Sequence, residues 1–204
     1  SAVGGGIWPL AMSHYELSAA LAATLGVWIV LSTCHSLWTR TATGQRWQSL
    51  RSTPSGLWGM VLAHCGVGVF IIGVAFTSIY TVEKDLRMAP GDSFQINRYS
   101  YRFEGVKKQT GPNYMSQIGT VTVSRDGQPA ALLRPEKRIY RIQRMPMTEA
   151  GIAPGLFADF YVALGEPLGS DGSWALRIHY KAYIRWIWLG ALLMATGGLL
   201  AATD

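Results

Sequence analysis

Three stretches of this chain are empty of charge, and they constrain the fold more than any other feature. Residues 17–39, 52–82 and 186–203 contain 23, 31 and 18 residues without Asp, Glu, Lys or Arg. A helix needs ~20 apolar residues, rising about 1.5 Å each, to cross a hydrocarbon layer. The pattern predicts a membrane protein with helices over 17–38, 56–80 and 182–204, separated by segments 39–55 and 81–181. Charged residues make up only 15% of the chain, well below the ~25% usual for a soluble globule. No basic cluster suggests nucleic acid, so a nucleic-acid partner is not expected. Two cysteines, Cys34 and Cys65, do not make a disulfide scaffold; both read as small buried thiols. The start lacks the layout of a signal peptide, and the chain reads as a piece of something longer.

The loops suggest an orientation. Segment 39–55 carries Arg40, Arg46 and Arg51 and no acid, which predicts a cytoplasmic loop. Residues 1–16 then form an outer lead-in and residues 81–181 an outer domain. That domain holds 14 basic and 10 acidic residues, and a section so long translocates regardless of charge. Lys181 and Arg185, at the outer end of the third helix, weigh against this orientation.

The outer segment reads as β structure. Trp174, Leu176, Ile178 and Tyr180 alternate with Ala175, Arg177, His179 and Lys181, the period of a half-buried strand. Phe94 and Ile96 alternate on one parity and Tyr99, Tyr101 and Phe103 on the other, which predicts a bulge near Asn97. Val121 and Val123 lead into Asp126-Gly127, a hairpin signal, and then Ala131 to Leu133. With short strands at 139–142 and 160–164, five or six strands are expected. The predicted fold is membrane α plus all-β: three helices, with a small antiparallel barrel or sandwich between the second and third.

His64 is the residue with most chemical promise, because an ionisable group near the middle of an apolar helix is costly without a partner. A neutral imidazole can ligate the iron of a b-type haem. Gly68, one turn on, would admit a flat macrocycle close to the backbone. The competing reading is helix packing, with His64 hydrogen-bonded across a bundle and Gly59, Ala63, Gly66 and Gly73 as small-residue contacts. His35 beside Trp38 and His14 beside Tyr15 read as interface residues, and His179 as a solvated surface histidine. Arg134, Lys137, Arg138, Arg141 and Arg144 read as a solvated strand face, which could also meet haem propionates or an acidic partner. No catalytic residue set is evident.

Several longer stretches carry a family resemblance. PEKRIYRIQRMPMTEAGI at 135–152, FYVALGEPL at 160–168, WALRIHYKAYIRWIWLGALLMATGGLLAA at 174–202 and GMVLAHCGVGVFIIG at 59–73 closely resemble the C-terminal end of the CcmF family. The resemblance covers about residues 17–203. It implies the haem-lyase subunit of bacterial system I cytochrome c maturation, a multi-pass protein of the inner membrane with its β domain in the periplasm. Such proteins take haem from a CcmE-type chaperone and join its vinyl groups to the cysteines of apocytochrome c. The resemblance further implies a CcmH-type apocytochrome-handling partner and a resident haem b fed by quinol. His64 stands at the family's late-helix haem ligand. The family's Trp-rich haem-binding motif, its flanking histidines and the second haem ligand lie outside this sequence, and Ala182 replaces a usual proline. The chain is therefore expected to need the remainder of CcmF, or a complementary subunit, and not to be catalytically complete alone. Two alternatives stand beside this: a membrane b-type cytochrome acting as a quinol oxidoreductase subunit, and a non-catalytic module that docks CcmE or apocytochrome c.

Overall fold

The computed structural model describes residues 17–40, 51–142 and 145–203, and the chain divides into a helical unit and a β unit. The lead-in 1–16, with His14, lies outside the described residues, as do Arg46 and Arg144. Helices α1 (Leu17–Arg40), α2 (Ser55–Tyr80) and α3 (Ile184–Ala201) are each long and apolar enough to cross a membrane. At about 1.5 Å per residue, the 18 residues of α3 cover roughly 27 Å.

Small residues bring these helices into contact. A methyl group built on Gly59 would stand 2.5 Å from the Gly197 carbonyl oxygen; one on Gly66 would stand 2.8 Å from that of Gly190. Gly73 meets Ile187 in the same way, at 2.7 Å from its nitrogen. Glycines seven residues apart on α2 thus face glycines seven apart on α3, the close-approach packing that apolar helices use where burial supplies no drive. α1 lies on another side of α2, where Gly26 and Gly68 face one another. Cys34 is exposed on α1 and Cys65 half-buried on α2, so the buried-thiol reading fails for Cys34.

The β unit is a sandwich of antiparallel strands. One sheet runs β1 (Val82–Met88), β10 (Trp174–Ala182), β9 (Ala158–Pro167), β8 (Gly151–Ala153). The other runs β2 (Ser93–Ile96), β3 (Tyr99–Thr110), β4 (Tyr114–Arg125), β6 (Glu136–Tyr140), β7 (Pro146–Glu149), with β5 (Gln128–Leu133) paired to β4. The expected five or six strands are ten among the described residues, because hairpins and corners divide what the sequence pattern joins. Trp174, Leu176, Ile178 and Tyr180 point inward along β10 as their alternation requires. Opposite them Tyr101, Phe103, Val121, Val123 and Leu133 are at most 1% exposed. Each of the Phe, Val and Leu side chains among them contributes about 1.5–3 kcal/mol by leaving water.

Asp126 and Gly127 both take positive φ, 50° and 78°, and join β4 to β5 in the two-residue turn their sequence signals. Asn97 corrects the expected bulge. With φ of 54° it opens a turn that pairs Ile96 with Tyr99, so the change of parity marks a new strand. The bulge in β3 falls between Phe103 and Gly105, whose φ is 108°.

Candidate functional site

His64 sits ten residues into α2, on the side that neither α1 nor α3 covers, and its side chain is exposed. Its Nδ1 lies 2.8 Å from the Met60 carbonyl oxygen, one turn back. A carbonyl oxygen only accepts, so Nδ1 carries the proton and the Nε2 lone pair remains for another atom. An N–H bond from the far nitrogen to a carbonyl is how proteins fix the orientation and basicity of a metal-ligating imidazole. The donor chemistry therefore fits one axial position of a haem iron. Among the described residues no group of three or more His, Cys, Asp or Glu is placed to hold a metal ion.

Gly68 does not share that role. Its missing side chain is filled by α1: a methyl group there would meet Val30 Cγ2 at 2.7 Å and the Gly26 carbonyl oxygen at 2.8 Å. The macrocycle-approach reading gives way to helix packing, as for Gly59, Gly66 and Gly73. His35 is exposed on α1.

The β unit corrects two further readings. His179 is not solvated: its side chain is 14% exposed, set edge-on to Tyr161 at 4.8 Å, with Nδ1 3.5 Å from a Glu83 oxygen. Burial pushes its pKa below the ordinary value, although the Glu83 carboxylate pulls the other way. The basic run is likewise not one solvated face. Lys137 is buried, and its ammonium donates to the Gly165 carbonyl at 3.2 Å and to the Glu166 carboxylate, which ties β6 to β9. Arg138 donates to Glu136 at 2.7 Å, lies 3.6 Å from Glu149 and stacks 4.9 Å over Tyr114. Glu136 is held below the usual carboxylate range, chiefly by that Arg138 bond. Arg134 and Arg141 alone of the described run stay exposed. The Lys137 tie was invisible in the sequence, because the carboxylate and carbonyl it meets lie on a strand more than twenty residues away.

Comparison with known proteins agrees with this architecture. Residues 79–182 match the family model described as the CcmF C-terminal beta-sandwich. The CcmF cytochrome c-type biogenesis protein of Pseudomonas aeruginosa is 47% identical over 180 residues, 88% of this chain and 27% of that protein. That of Haemophilus influenzae is 54% identical over 147 residues, 72% of this chain and 22% of that protein. A solved structure titled cytochrome c heme lyase CcmF superposes on the whole chain and on 33% of its own length, with a TM-score of 0.77 at 18% identity, a likeness of fold. The chain thus spans less than a third of the relatives it matches. With the sandwich, the helices and these identities together, the chain belongs to the CcmF family of cytochrome c-type biogenesis proteins.

Proposed function

We propose that this chain is the C-terminal part of a CcmF-type haem lyase, which joins haem delivered by a CcmE-type chaperone to apocytochrome c through thioether bonds. In this reading the β sandwich lies in the periplasm, where a CcmH-type protein presents apocytochrome, and segment 39–55 faces the cytoplasm. α2 would then be the cofactor helix, and His64 would hold the iron of a haem b through Nε2. The observation that carries the reading is the placing of His64: exposed on an apolar helix, its Nδ1 bound to the Met60 carbonyl and its Nε2 lone pair free. When bound, a haem there supplies a one-electron centre that keeps substrate iron reduced, with quinol as donor. The chain's own residues hold the ring rotamer, set which nitrogen is protonated, and keep the ligand in a dry apolar span. The second imidazole belongs to the rest of the protein.

The test is His64→Ala in the full-length protein, read by the optical spectrum after dithionite reduction. The expected result is loss of the b-type spectrum or its conversion to a high-spin form. Added imidazole should restore part of the low-spin bands by taking the missing position. An unchanged low-spin spectrum at full haem content would make His64 a packing residue and refute the reading.

A further inference from the structure

At one end of the larger sheet the core face runs out from under its cover. Thr110, Met115, Ile139 and Pro146 align across β3, β4, β6 and β7. On β4 this is the face that carries Val121 and Val123 into the core, six and eight residues further along. At this end, however, Met115 is 59% and Ile139 44% exposed. The turn beyond β6 adds Ile142, 96% exposed, and Met145 lies just before β7. The Arg141 N–H donates to the Asn113 carbonyl at 3.0 Å, which folds this turn against the β3–β4 hairpin. Between them Pro112, Asn113, Tyr140, Arg141 and Ile142 line a shallow concavity of about 410 Å³.

The charges around this shelf are one-sided. Its carboxylates are engaged: Glu136 and Glu149 with Arg138, and Glu166 with Lys137. Lys108, one row from Met115 on the same face, and Arg141 are exposed and have no acidic partner among the described residues. Burying an isolated cation costs far more than pairing it, so a surface that covers this shelf is favoured if it brings carboxylates. The apolar part contains methionine and isoleucine rather than polar groups, and thioether side chains adapt to varied aliphatic partners.

We infer that this sheet end is a docking shelf for a partner-protein segment in which Asp or Glu residues stand beside aliphatic side chains, the aliphatic groups covering Met115, Ile139 and Ile142 and the carboxylates pairing Lys108 and Arg141. The inference deepens the reading above and rests on it for there being a protein partner at all. The concavity walled by Pro112 and Tyr140 suits a single inserted side chain, which favours a peptide over a lipid surface.

The experiment uses the full-length protein in detergent and three short fluorescein-labelled synthetic peptides: Glu alternating with Leu, Lys alternating with Leu, and Glu alternating with Ser. The Glu–Leu peptide should bind at least about tenfold more tightly than either of the others, and added salt should weaken it. Lys108→Glu with Arg141→Glu should lower that affinity at least about tenfold. Met115→Ser with Ile142→Ser, a second variant should the first fail to fold, should also lower it. Equal binding of the Lys–Leu peptide, or affinity unmoved by either double variant, would overturn the proposal. So would binding of phosphatidylglycerol vesicles but no peptide, or self-association abolished by the same substitutions, since these make the shelf a lipid or self-contact. Repeating the titration on His64→Ala separates the two readings. If peptide binding survives there, the shelf stands whatever the haem spectrum does.

Discussion

Replacing Gly68 by Ala adds one methyl group where the backbones of α1 and α2 meet. On the present backbone that carbon would stand 2.7 Å from Val30 Cγ2 and 2.8 Å from the Gly26 carbonyl oxygen. Carbon atoms pack at about 3.5–4.0 Å, so the helices have to part by roughly 1 Å. Half the clash is with backbone, which no rotamer change relieves. Overpacking of this kind costs about 1–3 kcal/mol, and at 1.4 kcal/mol per tenfold the close-packed population falls roughly 5- to 150-fold. The reporter is the pair Cys34 and Cys65, whose thiols are side-chain neighbours across the same interface. In membranes holding the full-length protein, with other cysteines changed to serine, copper phenanthroline should oxidise the pair and remove its maleimide-reactive thiols. Gly68→Ala should slow that loss at least about fivefold. Gly198→Ala, which adds its methyl group to open space, should not change it. The b-type spectrum should keep its band positions, because Gly68 faces α1 rather than the His64 side. Trapping at the unaltered rate together with shifted haem bands would refute the reasoning and return Gly68 to the cofactor.

The β unit supports further predictions. Among the described residues the buried Tyr101 hydroxyl has no hydrogen-bond partner, so Tyr101→Phe should leave stability unchanged or raise it, by up to about 1 kcal/mol in denaturant titration. Phe103→Ala empties a fully buried ring and should cost about 3–5 kcal/mol in the same assay. His179 holds its proton less well in the fold than its ordinary 6.5. The unfolded chain therefore takes up the proton first: this residue's contribution is complete above about 6.5 and is lost as pH falls through the folded value. Glu83, Asp85, Arg177, Lys181 and Tyr161 surround the ring and stay in place in His179→Phe, so that variant should lose the part of the pH dependence lying in this window, read from thermal midpoints at several pH values. Gly127→Cys, on the β4–β5 turn, should react with an impermeant maleimide on intact cells; protection until the cells are lysed would reverse the proposed orientation.

Much of the architecture is written in local pattern, and the failures fall where pattern depends on distant chain. Along β10 the alternation from Trp174 to Tyr180 reports directly on one buried face. The change of parity at Asn97 is ambiguous in sequence, since an inserted residue and a two-residue turn move the phase alike. Only the pairing of Ile96 with Tyr99 separates them. Strands β7 and β8, of four and three residues, are too short to show a period, and pairing to β6 and β9 makes them strands. Lys137 reads as solvated because lysine ordinarily is; it is buried because β9 brings the Gly165 carbonyl and the Glu166 carboxylate to it.

The same division holds for His64. Its depth in an apolar run is legible by counting, and the cost of an ionisable group there makes it a candidate. What counting misses is which side of the helix each neighbour occupies. Four residues advance an α-helix by about 400°, some 40° beyond a full turn, so Gly68 is displaced around α2 from His64. That displacement lets Gly68 lie against Gly26 while His64 stays on the open side. α1 and α3 take two sides of α2, and the imidazole presents Nε2 on the third. Leaving a histidine toward hydrocarbon there would strand a polar group that the helix has already oriented through the Met60 carbonyl. In relatives more than three times as long, there is chain enough to cover that side. In the reading proposed above, the face of α2 with Met60, His64 and Ile71 is where the rest of a full-length protein would supply the group that meets Nε2.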